Sequence, residues 1–66
     1  MVEKLTYIVK LLELKNDFEK DIKFWENEIK IVINHFPRLV TRYQFKIRMR
    51  EIYIEFLNEK LNHLKL

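Results

Sequence analysis

Apolar residues in two stretches of the chain recur at alternating spacings of four and three. This spacing keeps side chains on one face of an α-helix and is typical of helices that pack in pairs. In the first stretch the row comprises Phe18, Ile22, Trp25, Ile29, Val32 and Phe36, and Leu11 and Leu14 extend it backwards. In the second stretch it comprises Val40, Tyr43, Ile47, Ile54, Leu57, Leu61 and Leu64, with Arg50 at its one polar position. The pattern predicts two long helices.

The residues Asn34-His35-Phe36-Pro37 separate the two stretches. Proline disfavours helix at the residue before it and suits the first turn of a new helix, and asparagine readily adopts the left-handed conformation that ends helices. Thr41 and Gln44 also match a capping box, which would start the second helix later. We therefore expect a turn at 34–41 between helix 1, about 2–34, and helix 2, about 38–65. Residues 1–66 then form a single all-α domain, a long antiparallel helical hairpin.

Two alternatives compete with this hairpin. The early apolar residues Leu5, Ile8, Val9 and Leu12 centre on another face, and Asn16 could cap a new helix. A break near 15–17 would give a three-helix bundle. The alternation of apolar and polar residues over 43–49 would instead suit a β-strand. The unbroken hairpin is favoured because residues 14–17 include no glycine or proline, and because the helical spacing runs through 43–49 without interruption.

The second helix carries a further apolar row with helical spacing, which we call the second seam: Phe45, Met49, Ile52 and Phe56. The row that begins at Val40 is the first seam. One partner helix covers one seam, so the second seam predicts cover from another chain. A chain of 66 residues also forms a marginal core on its own. We expect a homodimer in which two hairpins form a coiled-coil-like four-helix bundle.

Composition excludes most catalytic chemistry. The chain has no cysteine, serine or glycine, and so no thiol or serine nucleophile and no glycine-rich phosphate loop. His35 and His63 are the only imidazoles, and an antiparallel hairpin places them at opposite ends. We predict a non-enzymatic protein without a metal or another cofactor.

Positive charge is concentrated in the second half of the chain. Residues 1–34 carry six lysines against seven acids, whereas residues 35–66 carry seven bases against three acids. Every fourth residue from 38 to 50 is basic, and a fifth base lies on another face. The predicted nucleic-acid-binding residues are Arg38, Arg42, Lys46, Arg48 and Arg50. The competing interpretation pairs these bases with the acids of helix 1.

These features favour a small helical binding protein. The leading hypothesis is regulatory binding of DNA, RNA or another polyanion through the basic residues of helix 2. The alternative is a protein-interaction module, an inhibitor or adaptor of a larger complex, that uses the second seam as its partner or dimer interface. No targeting segment or membrane span is evident in the sequence, so we expect a cytoplasmic protein with no membrane partner.

Overall fold

The structure, a computed structural model, describes residues 2–64, which form two antiparallel helices and no strand. Helix α1 spans Val2–Val32 and helix α2 spans Pro37–His63. They pack along their length as a rod of 52 × 15 × 12 Å. The all-α hairpin is confirmed. The alternatives with a break near 15–17 or a strand over 43–49 are wrong, because both segments are continuous helix.

The turn is tighter than predicted. The carbonyl of Val32 accepts hydrogen bonds from the backbone N–H groups of His35 and Phe36, at 3.0 and 2.6 Å, and so closes helix α1 two residues early. Pro37 occupies the first turn of helix α2, where a missing N–H removes no helical hydrogen bond.

Helix α2 starts at Pro37, and two possibilities that the sequence raised for the helix ends are not realised. No residue in 2–64 has a positive φ, so Asn34 does not adopt the left-handed conformation. Helix α2 already includes Thr41 and Gln44 in its second turn and beyond, so their capping box does not start it. The described part of helix α2 ends at His63, and the predicted end at residue 65 lies outside the described residues.

The core is one continuous interface between the two helices. Every residue of the first seam of helix α2, Arg50 included, is buried or half-buried, as the sequence predicts. The inward row of helix α1 consists of Ile8, Leu11, Lys15, Phe18, Ile22, Trp25, Ile29 and Val32. The most deeply buried residues are Leu11, Val32 and Leu57, at 8%, 8% and 6% exposure.

Two residues assigned to the inward row of helix α1 lie outside it. Leu14 is 41% exposed and Phe36, which is in the turn, is 63% exposed. The helix buries Lys15 in place of Leu14, because Lys15 keeps the alternating spacing between Leu11 and Phe18. A lysine can occupy such a position by laying its aliphatic stem against apolar neighbours while its ammonium reaches water.

The rod leaves much surface uncovered. Its accessible area is 5668 Å², whereas a compact protein of this mass exposes about 4,600 Å². In the part of the chain that the structure describes, neither helix combines the length and the apolar character needed to cross a membrane.

Candidate functional site

The largest apolar feature on the surface of helix α2 is the second seam. Phe45, Ile52 and Phe56 are 67%, 42% and 55% exposed, and Met49 is half-buried. At 100° per residue, this row points about 150° away from the first seam, and it extends for about 17 Å along the helix. The hairpin therefore covers one seam of helix α2 and leaves most of the other exposed.

Tyr53 widens the exposed row towards helix α1. Its ring is 44% exposed, and its centroid lies 5.8 Å from that of Phe18 at an interplanar angle of 35°. This contact holds Tyr53 beside the second seam. Tyr53 and Phe24 belong to none of the rows that the spacing predicts, and Phe24 is 59% exposed on the outer side of helix α1.

An open groove of about 300 Å³ lies between the second seam and helix α1. Phe45 and Met49 form its outer wall, and Trp25 lies on the side of helix α1. Lys46 and Arg50 complete the lining. Both cations approach the indole, with the Lys46 Nζ at 5.7 Å and the Arg50 Cζ at 5.6 Å from its ring centroid. The groove thus combines apolar walls with two positive charges.

Arg50 is fixed within the helix interface. Its Nε donates a hydrogen bond to Oδ2 of Asp21 at 3.3 Å, and its guanidinium carbon lies 4.7 Å from the centroid of the Phe18 ring. The side chain of Arg50 is 32% exposed and that of Asp21 is 45% exposed. Arg50 therefore connects the two helices, and its charge at the groove is partly offset by the carboxylate of Asp21.

The other four predicted nucleic-acid-binding residues, Arg38, Arg42, Lys46 and Arg48, are exposed. None of them forms an ion pair with another residue in 2–64, where Arg50–Asp21 is the one ion pair. The predicted neutralisation by acids of helix α1 is thus limited to Arg50. Arg48 points to a different side of helix α2, so the shared basic surface consists of Arg38, Arg42 and Lys46.

Sequence reasoning missed the groove. It placed Trp25 in the inward row of helix α1 and Lys46 among the basic residues of helix α2, but it did not predict that the two side chains line one groove. A tryptophan and a lysine on different helices become neighbours only when the length of the turn sets the register of the hairpin. A signal was present in the polar position of Arg50, because a charged side chain in an apolar row calls for a partner on the facing helix.

Within residues 2–64 no three histidine or acidic side chains are grouped so that they could hold a metal ion. Comparison of the chain with protein-family models, with curated proteins and with solved structures finds no match. Functional inference therefore depends on the surface itself.

Proposed function

We propose that this protein is a non-enzymatic protein-interaction module that binds through the exposed side of helix α2. The observation that carries the proposal is the exposure of Phe45, Ile52 and Phe56, three of the four residues of the second seam, beside the groove at Trp25. Phe45 is 67% exposed and Phe56 is 55% exposed. Single exposed apolar residues are common on soluble proteins, but an ordered row of them marks an interaction surface.

The composition of the surface fits a protein partner. Covering apolar area contributes about 25 cal/mol per Å², and aromatic side chains dominate the binding energy of protein interfaces. Phe45, Tyr53 and Phe56 provide such aromatic groups. The row has the spacing by which one helix packs against another, so a helical partner suits it.

Site-specific photo-cross-linking in the native host tests this proposal. A photoreactive phenylalanine analogue replaces Phe45 in one variant and Lys20 in the control, because Lys20 is exposed on helix α1. We expect a covalent protein adduct from position 45 and none from position 20. Irradiation that yields no protein adduct at position 45, with the variant folded and expressed, would contradict the proposal.

Polyanion binding is the second candidate, and a different observation favours it. Arg38, Arg42 and Lys46 are exposed and without an acidic partner in residues 2–64. Three phosphate contacts give a log–log salt dependence of about −2 to −3. Because Arg50 lies between the helices, the basic surface is smaller than the sequence predicts. We therefore rank polyanion binding second.

Fluorescence anisotropy with DNA and RNA oligonucleotides at ~50 mM salt tests the second candidate. If it holds, replacing Arg42 and Lys46 by alanine should flatten the salt dependence by about one unit each. A protein that binds neither nucleic acid at this salt concentration would eliminate the candidate and leave the interaction module untouched.

A further inference from the structure

The second seam has nearly the same order of residue types in both directions along the helix. The order is aromatic, aliphatic, aliphatic, aromatic, with spacings of four, three and four. Turning the row end for end about the point between Arg50 and Glu51 exchanges Phe45 with Phe56 and Met49 with Ile52. A row with this property can pack against an antiparallel copy of itself, because each large side chain then faces another of similar size.

The charges that flank the row are opposite at its two ends. Continuing the same spacing leads to Arg42 before Phe45 and to Glu59 after Phe56, and both residues are exposed. The same end-for-end turn exchanges Arg42 with Glu59. In an antiparallel pair, each Arg42 therefore lies beside an acidic residue of the other copy. A parallel pair would bring like charges together at both ends, which is unfavourable.

A second pair of opposite charges flanks the second seam on one side. Arg48 and Glu55 lie on one side of the second seam, and both are exposed. An antiparallel pair brings Arg48 of each copy near Glu55 of the other. Neither Arg42 nor Arg48 has an ion-pair partner among residues 2–64, so both are free to pair between chains.

The uncovered area matches what such a pair requires. The accessible surface exceeds that of a compact protein of this mass by about 1,100 Å². A standard protein–protein interface covers about 800 Å² of each partner. The hairpin therefore has enough uncovered surface to form an interface of this size.

We propose that the occupant of this surface is a second copy of the chain, with the two α2 helices antiparallel and their second seams in contact. The inference rests on the proposed function and names its partner. A two-fold axis crosses the interface at the height of the bond between residues 50 and 51, Phe45 packs against the partner's Phe56, and Arg42 pairs with the partner's Glu59. Because the two seams of helix α2 point about 150° apart, the four helices form an open layer with both copies of α2 at its centre.

Charge reversal with reciprocal rescue tests this arrangement. The variants are Arg42→Glu, Glu59→Arg and the double variant, and sedimentation equilibrium at low salt measures their dimer dissociation constants. Each single change converts two symmetry-related attractive pairs into repulsive ones, so we expect dimerisation to weaken about 10- to 100-fold. The double variant restores opposite charges in the same register, and we expect a constant within about threefold of the parent. Circular dichroism verifies that each variant stays helical.

Two further variants complete the design. Lys20→Glu makes the same change in charge as Arg42→Glu, but on the outer side of helix α1, and should alter dimerisation less than about threefold. Phe45→Glu places a carboxylate in the seam and should abolish the dimer at micromolar concentration while the hairpin remains helical.

Each contrary result has a distinct meaning. A parent chain that stays monomeric at millimolar concentration overturns self-pairing, and the cross-linking experiment then decides whether another protein uses the surface. A dimer that Phe45→Glu leaves intact forms through another surface and overturns the inference, and the cross-linking experiment again decides whether another protein binds the second seam. A dimer that Phe45→Glu dissociates but that the double charge variant fails to restore overturns the antiparallel register.

Discussion

Helix α2 has two apolar seams with nearly the same spacing, but the hairpin buries only the first. The first seam faces helix α1, and its Leu57 is 6% exposed. The second seam faces solvent, and its Phe45 is 67% exposed. Spacing alone therefore does not distinguish a core row from a binding row. The number of helices available within one chain makes the distinction, because one partner helix covers one side.

The largest expected effect contrasts one residue from each seam. Leu57→Ala removes most of a buried side chain and should cost about 2–5 kcal/mol of unfolding free energy. A domain of this size has about 3–5 kcal/mol in total, so the variant should be largely unfolded. Ile52→Ala, at a residue that is 42% exposed, should cost less than about 1 kcal/mol in dilute solution. Thermal unfolding followed by circular dichroism compares the two.

Protein concentration sharpens this contrast. If the second seam is covered by a second copy, the effect of Ile52→Ala on the melting temperature should grow with concentration, since dimerisation stabilises the folded state. Equal losses from both substitutions in dilute protein would show that the two seams are covered alike within one chain.

The next largest effect on the unfolding free energy is expected at Arg50, the one polar residue of the first seam, and at its partner Asp21. Arg50→Ala removes a stem that packs between the helices as well as a charge, and should cost about 1–2 kcal/mol. Asp21→Asn removes only the charge of a partly exposed partner and should cost less than about 1 kcal/mol. Urea unfolding of both variants and of the double variant gives the coupling between the residues. A coupling above about 2 kcal/mol would show that the ion pair, and not the packing of the Arg50 stem, makes the larger contribution to stability.

Much of the covered interface is predictable from sequence, because local spacing determines which side of a helix is apolar. All of the first seam is predicted, and so is the row from Phe18 to Val32. The prediction deviates at Leu14, where an apolar residue was preferred to the position that keeps the spacing, and at Phe36, which keeps the spacing but lies beyond the end of helix α1. Apolar residues alone suggested that the buried side of helix α1 shifts near its beginning, whereas the structure continues the same side through Lys15.

The candidate site is less predictable, since it depends on which residues face each other across the hairpin. The second seam is readable from its spacing, and its exposure follows once the chain is known to have two helices. The groove cannot be recognised from the spacing within one helix. Trp25 meets Lys46 and Arg50 because a turn of four residues, between Val32 and Pro37, sets the register. Sequence places these side chains on the correct helices but does not pair them.

The smallest expected effect concerns Lys15, the one basic residue in the inward row of helix α1. Lys15 is half-buried between Leu11 and Phe18 and forms no ion pair within residues 2–64. Lys15→Leu should raise the unfolding free energy by about 0.5–1 kcal/mol, because a branched apolar side chain covers the interface better than a lysine stem. For a domain of this size, that corresponds to a melting temperature about 2–8 °C higher. Lys20→Leu, at an exposed position of the same helix, is the matched control and should leave the melting temperature unchanged. A lower melting temperature for Lys15→Leu would contradict the expectation that an apolar side chain covers this position of the interface better than lysine does.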